Sequence, residues 1–468
     1  MKFKLFLFCS FWILLLVISC NKDEITFDAP SQALRFSKDT VFCDTVYHQV
    51  RSETYAVKVY NNEDKDVLIP RINLEKGAAS LYRINVDGKP GHDFQNVPLR
   101  KKDSLYIFVE IAPQATGPEA IAEDRVVFTS PAGQQHVTLF SVVQDAEFFI
   151  QTPSNPNVIA NNTSWTNNKV KIIYGDLTVN PNITLDIQAG TKVYFHKNSG
   201  MKISAGATLN INGTQNNQVI LRGDRNDPYY DTIPKNWNSI RMAAASTLNM
   251  THARLFGGTR GLDMTETTAN ISNSFIHTFQ EYGIHSINST ITANNLVMNN
   301  CGESCIGIFK GGTYNFIHST IANYSSVMNS LNRNGLFASN EYQNQAGSTE
   351  FGALILNLRN SIVYSDRDNS VQFEQTPGQV FDFQIQNCLI KYSGTSAAGF
   401  PFDSNPNVIL SIKNEDPKFV NYFAAQMNLR VKADSPARNK GNTAVSATVP
   451  TDIVNVTRTS NPTLGAYQ

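Results

Sequence analysis

The sequence predicts an all-β chain in two parts, a small antiparallel sandwich followed by a long solenoid of parallel strands. Three observations carry this. Residues 33–148 read as short strands of alternating polarity separated by turn residues. Past "QTPSNPNVIANNTS" the composition shifts toward Asn, Ser, Thr and Ile. From there a polar-polar-apolar-apolar step recurs at intervals of twenty-odd residues, the length of one solenoid coil.

The first residues, "MKFKLFLFCSFWILLLVISC", set Lys2 and Lys4 before an apolar run from Leu5 to Ile18. That pattern is a secretory signal over residues 1–19, too short and one-sided for a lasting membrane span. Ser19 directly before Cys20, with Val17 and Ile18 ahead, resembles the bacterial lipobox. The resemblance implies cleavage before Cys20 and lipidation of its thiol. Each buried acyl methylene contributes about 0.8 kcal/mol, so several chains hold a protein on a membrane. Residues 20–32 form a polar tether, in which "NKDE" (Asn21 to Glu24) resembles the tag by which Bacteroidota export lipoproteins to the cell surface. The expected address is the outer membrane, on the cell surface rather than the periplasmic side, with the membrane as partner through the lipid anchor. Lysine plus arginine and aspartate plus glutamate each number 39. That balance removes any whole-molecule attraction to nucleic acid.

Within residues 33–148, "SLYIFVEI" puts Leu105, Ile107, Val109 and Ile111 on one face of a strand. "RVVFTSPAGQQHVTLFSVV" reads as strand, Pro-Ala-Gly turn and strand, a hairpin signature. Several such strands predict an antiparallel β-sandwich, resembling the immunoglobulin-like modules that Bacteroidota place between anchor and display domain. A stalk is its expected role. Past the signal and anchor, the cysteines are Cys43, Cys301, Cys305 and Cys388. A secretory compartment permits disulfides, so Cys301 and Cys305 in "CGESC" either bridge a small loop or stay buried as free thiols. No Cys/His set has zinc spacing, and no metal site is expected.

Residues 160–468 carry the repeat. Its steps are Ala253-Arg254-Leu255-Phe256, Asn273-Ser274-Phe275-Ile276, Asn294-Asn295-Leu296-Val297, His318-Ser319-Thr320-Ile321, Asn360-Ser361-Ile362-Val363 and Asn387-Cys388-Leu389-Ile390. The interval before Asn360 is double, either two coils or one coil with a long loop. Short β-branched runs between Asn and Gly suit strands of a few residues, not helices. The coils then stack as parallel strands about 4.8 Å apart with apolar residues inside. Asparagine at the head of a step tolerates a left-handed turn and can bond the amide one coil above. Asn273, Asn294, Asn360 and Asn387 are the expected ladder.

"ITLDIQAGTKVYF", "GMKISAGATLNINGT", "NQVILRG" and "NWNSIRM" resemble the first coils of right-handed parallel β-helix proteins, the pectate-lyase-like superfamily. "DPKF", "LRVKADSPARNKG" and "PTLGAYQ" resemble its closing pattern. The resemblance implies a right-handed parallel β-helix of roughly ten coils, near 50 Å long at about 4.8 Å per coil, closed by a C-terminal cap. Enzymes of this fold that act on polysaccharides carry recognisable residues. The hydrolase motifs Asn-Thr-Asp, Asp-Asp, His-Gly and Arg-Ile-Lys do not occur here, and the acid clusters with which a lyase holds calcium are sparse. Between residues 240 and 330 the acids are Asp263, Glu266, Glu281 and Glu303, with His277 and His285 placed to flank Glu281.

The candidate binding residues lie in two loops. "GDRNDPYYDTIPKNW" combines Asp224, Asp227 and Asp231 with Tyr229, Tyr230 and Trp237. Carboxylates take hard cations or sugar hydroxyls, and aromatic faces stack on sugar rings. Calcium would suit the carboxylates, but the loop lacks the alternating acids and glycine of an EF-hand, so no cofactor is assigned. "SSVMNSLNRNGLFASNEYQNQAGSTE" offers Arg333, Phe337, Glu341 and Tyr342 on an excursion from a rigid rod, where binding residues gather. The sequence thus predicts a lipid-anchored protein whose β-helix binds a glycan or an envelope protein without turnover. The alternatives are a polysaccharide lyase or glycoside hydrolase, and a structural or assembly component of the envelope.

Overall fold

The computed structural model describes residues 26–47, 51–113, 119–225, 228–324, 334–393 and 401–468. Cys20, Asp227 and Arg333 lie outside the described residues. The chain divides after Val143 into two compact units. Among the described residues the only α-helix is Thr443–Ser446, and no helix is long and apolar enough to cross a membrane.

The first unit holds two sheets. One has the order Arg35–Phe36, Tyr55–Tyr60, Ser104–Ile111, Tyr82–Val86, Lys89–Gly91; the other runs Thr40–Phe42, Gly133–Gln144, Glu119–Ser130, Val67–Leu74, Asp93–Leu99. Tyr55–Tyr60 and Ser104–Ile111 are antiparallel, whereas Thr40–Phe42 joins Gly133–Gln144 in parallel. Alternation decides what is inside: Leu105, Ile107, Val109 and Ile111 are buried as a set. They share one apolar cluster with Ile69, Val126 and Leu139 of the other sheet. The expected hairpin turns at Gly133, whose φ of 119° side chains rarely adopt.

In the second unit the strands of the coil pair in parallel with their equivalents one coil on, three strands to a coil, while Phe419–Asn421 and Asn428–Val431 form a separate antiparallel pair. The first sheet stacks Asp176–Val179, Gly200–Ile203, Ile240–Met242 and Leu262–Thr265, then residues 284–287, 306–308, Asn334–Ser339 and Val371–Glu374. The second sheet starts with Thr163–Trp165, Thr184–Gln188, Thr208–Asn212 and Thr247–Thr251, and the third with Ala146–Ile150, Val170–Tyr174, Lys192–Phe195 and Val219–Gly223. Leu209, Leu248, Ala269, Ile291, Tyr314 and Leu356 form one inward column of the second sheet. This register establishes a fold of the parallel β-helix type. Tyr314 pairs directly with Leu356, so the double interval is one coil with a long excursion. The hairpin of Glu341–Gln343 with Thr349–Phe351 belongs to that excursion.

One corner column takes the left-handed turn. His252, Asn273, Asn295, His318, Asn360 and Asn387 have φ between 46° and 50°. Asn295 replaces the expected Asn294, because Ser274 pairs with Leu296 and shifts the step by one residue. The ladder is partial: Asn295 Nδ2 donates to Asn273 Oδ1 at 2.8 Å and Asn360 Nδ2 meets His318 Nε2 at 3.0 Å. Asn387 instead donates to the Lys440 carbonyl. A second ladder links Asp186, Asn210, Asn249 and Asn270 on the outer face of the second sheet, at 2.6, 2.9 and 3.0 Å.

The closing segment covers a flank of the rod. Met298, Ile321, Val363 and Ile390 point into the core. Their neighbours Val297, Ala322, Ile362 and Leu389 point outward and form a separate cluster with Phe419, Leu429, Ala437, Leu464 and Ala466. The apolar outer face of the third sheet is what the C-terminal residues cover. The Cys301–Cys305 bridge does not form. Both thiols are free and buried, because both residues sit in paired strand backbone, and Cys305 Sγ donates to the Ala322 carbonyl at 3.0 Å.

Candidate functional site

The outer face of the first sheet carries charged and aromatic side chains. Register stacks Lys202, Arg241, Asp263, His285, Gly307 and Phe337 on successive coils. Their chain neighbours Met242, Met264 and Ile308 lie in the core, so strand alternation turns this column outward.

Charge pairing organises its middle. Asp176 takes Lys202 at 2.8 Å and Arg241 at 2.6 Å. One coil on, Arg260 Nε donates to Glu281 Oε2 at 2.6 Å and Arg260 Nη1 to Asp263 Oδ2 at 3.3 Å. Asp263 Oδ1 accepts from His285 Nδ1 at 2.8 Å. Burial works against the charge on Asp263, but the hydrogen bond and charge of His285, with Arg260, outweigh it and hold this carboxyl below its ordinary pKa of 3.8. Burial likewise opposes the Arg260 charge, and Asp263 and Glu281 overcome it, raising the guanidinium pKa. A carboxylate only accepts, so it fixes the His285 proton on Nδ1. His285 Nε2 has no hydrogen-bond partner among the described residues. The two form a hydrogen-bonded Asp–His dyad.

Aromatic rings join the dyad to a cavity. The imidazole lies 5.1 Å from the Tyr282 ring and 5.0 Å from Phe309. Gly307 makes room for this packing, since a Cβ there would fall 2.8 Å from a Tyr282 ring carbon. Phe309 then borders a cavity of about 690 Å³ lined also by Phe337, Tyr342, Phe373, Glu341 and Glu374. Its ring is 5.4 Å from Phe337 and 6.3 Å from Tyr342. The hairpin carrying Glu341 and Tyr342 is tied down by Lys310 Nζ on Glu350 Oε2 at 2.7 Å. Glu341 Oε2 accepts from Thr376 Oγ1 at 2.8 Å and Glu374 Oε1 from Gln372 Nε2 at 3.0 Å. Neither carboxylate meets a cation among the described residues.

Of the residues expected from sequence, Tyr342 lines this cavity together with Phe337 and Glu341. The other loop does not converge. Asp224 pairs with His196 at 2.7 Å, Asp231 with Arg222 at 2.6 Å, and Arg225 covers Tyr230. Tyr229 projects into solvent. Trp237 is buried, stacked on Phe195 at 4.4 Å with Nε1 bonded to the Phe256 carbonyl. Its indole is a core plug, closed to any sugar ring. His277 and His285 do not flank Glu281 together. His277 belongs to the third sheet, buried against Phe256 and taking a hydrogen bond from Arg254, and burial with the Arg254 charge holds its pKa well below 6.5. The Arg260–Asp263–Glu281–His285 cluster is invisible in the sequence because Asp263 and His285 meet only through the register between coils. The described residues hold no group of three metal-ligating side chains.

No known family profile matches the chain, and no curated protein does. Similar solved structures include pectate lyase Pel9A, at 13% identity over 70% of this chain and 87% of that one, with a TM-score of 0.33. Others are a family 123 glycoside hydrolase from Clostridium perfringens (11% identity, 27% of this chain and 25% of that one, TM-score 0.18) and the Vibrio cholerae VesB protease (11%, 24% and 31%, 0.16). The chain thus spans a third or less of the length of the last two. Likenesses this distant decide no chemistry; the fold rests on the register of the strands.

Proposed function

We propose that the outer face of the first sheet binds a polysaccharide laid across successive coils and hydrolyses it there. One observation carries this reading: an aromatic-lined cavity holding Glu341 and Glu374 shares Phe309 with the Asp263–His285 dyad. Aromatic faces stack on sugar rings, and cleavage of a glycosidic bond needs a carboxylic acid and a carboxylate about it. Glu341 and Glu374 are the groups proposed to act on the bond, and His285 Nε2 to hold or move a proton beside it. Incubation with neutral, amino and uronic polysaccharides, read for new reducing ends and unsaturated ends, tests this. New reducing ends that fall on the order of a hundredfold or more in Glu341→Gln or Glu374→Gln, with melting unchanged, support hydrolysis. Unsaturated ends would move the reaction to elimination, and no turnover of any polymer would remove the enzyme.

The missing hydrolase motifs favour a second reading, in which the same face retains glycan without turnover. Retention without new ends is its signature. In both readings we propose that Cys20 is lipidated at the outer-membrane surface, that the first unit is an immunoglobulin-like stalk and that the coil is right-handed. The lipobox, the hairpin signature and the closing motifs support these points.

A further inference from the structure

We infer that the glycan taken by this cavity carries protonated amino groups; the inference rests on the glycan reading above and names its substrate class. Among the described residues, the cations of this column and its edge, Lys202, Arg241, Arg260 and Lys310, each have a counter-ion. Lys202 and Arg241 sit on Asp176, Arg260 on Asp263 and Glu281, and Lys310 on Glu266 and Glu350. Those cations meet more carboxylates than their own number, and Glu341 and Glu374 add two more inside the cavity with only a hydroxyl and an amide as partners. Even a protonated His285 leaves an excess of negative charge.

The consequences differ by ligand. A uronate would bring a carboxylate to two carboxylates, with Lys202, Arg241, Arg260 and Lys310 already paired. An uncharged sugar could stack on Phe309 and Tyr342 but would leave both glutamates without a counter-ion. A sugar ammonium gains the same stacking and a charge-assisted hydrogen bond to each glutamate within reach. The expected order of affinity is amine-bearing, then uncharged, then uronic.

Titration calorimetry of the full chain at low salt, below the amine's own pKa, tests the order with three probes of matched length: glucosamine oligosaccharides, their N-acetylated counterparts and oligogalacturonates. The amine form should bind on the order of tenfold tighter than the N-acetylated form, the scale of one charge pair near a surface. That advantage should shrink as salt shortens the Debye length, and disappear in the E341Q/E374Q double variant. Both glutamates are exposed, so the double variant should melt with the parent. Equal affinity for amine and N-acetylated forms would overturn the inference and leave the glycan reading standing. Oligogalacturonate bound as tightly as the amine form would also overturn it, as would an advantage that survives in the double variant. Failure of all three probes to bind would overturn both.

Discussion

Asp263→Asn isolates the charge at the centre of the site. The Asp263 side chain is 23% exposed and that of His285 9%, so their bond forms largely out of water. A hydrogen bond to a charged group contributes about 1.5–3 kcal/mol and a neutral one about 0.5–1.5. An asparagine oxygen still accepts from His285 Nδ1, so the substitution removes the difference, about 1 kcal/mol. Arg260 keeps Glu281 at 2.6 Å, and loss of its longer contact with Asp263 adds under about 1 kcal/mol. The expected loss at neutral pH is about 1–2 kcal/mol, a fall in melting temperature of about 2–4 °C. Its pH dependence has a definite sign. The folded pKa of Asp263 lies below 3.8, so the stabilisation is whole above that pH and is lost as the pH falls through the folded value. Melting curves of parent and variant, compared at neutral pH and at steps down through the carboxylate range, should show a gap that closes in acid. A gap of constant size at every pH, or none at neutral pH, refutes the assignment.

Other outcomes follow from burial and address. Trp237→Ala should cost about 3–5 kcal/mol in denaturant melts, since the residue is 1% exposed; Tyr229→Ala, at a residue 66% exposed whose ring meets Tyr230 edge-on, should cost no more than about 0.5–1.5 kcal/mol. Cys43, Cys301, Cys305 and Cys388 should resist a thiol reagent until the chain unfolds, burial having pushed the Cys388 thiol up to about 12, and a melting point that drops on reduction would reveal a bridge. Leu389→Asp, placed in the flank cluster, should release the C-terminal residues to limited proteolysis while the preceding coils stay protected. Cys20→Ala should move the protein from the membrane fraction to the soluble one, and a protein still bound to membranes would end the lipoprotein proposal.

Much of the fold was legible because strand chemistry is local. Alternation in "SLYIFVEI" declared which side of the strand is buried, and four of the six step heads fell on left-handed corner residues. The slip at Asn294 shows the limit. Two asparagines in a row satisfy the same pattern, and only the pairing of Ser274 with Leu296 separates them. Trp237 misleads for a related reason. In a loop rich in Asp and Tyr an indole reads as a binding face, yet its stack on Phe195 comes from a strand far back in the chain. The site suffered most from this. Asp263 and His285 are far apart in sequence and adjacent in space because each coil returns the chain to the same sheet, and Phe309 meets Tyr342 only across the excursion of a single coil.

The three outer faces of the rod have three different chemistries, and the difference locates function more firmly than any motif. Val297, Ala322, Ile362 and Leu389 make the third face apolar, and the C-terminal residues occupy it. On the second face, amides of Asn210, Asn249 and Asn270 bond one another down the stack, which spends their hydrogen-bonding capacity on holding neighbouring coils in register. The first face does neither. Its column changes from Arg241 to Asp263 to His285 to Gly307 to Phe337 within successive coils, so it forms no repeating ladder and no continuous apolar strip. Register alone does not call for an imidazole set against a carboxylate beside a ring-lined cavity, since the amides of the second face hold their coils without one. Rigid strands hold these side chains where a loop would leave them mobile. The outer face of the first sheet is therefore where substitutions should separate activity from stability.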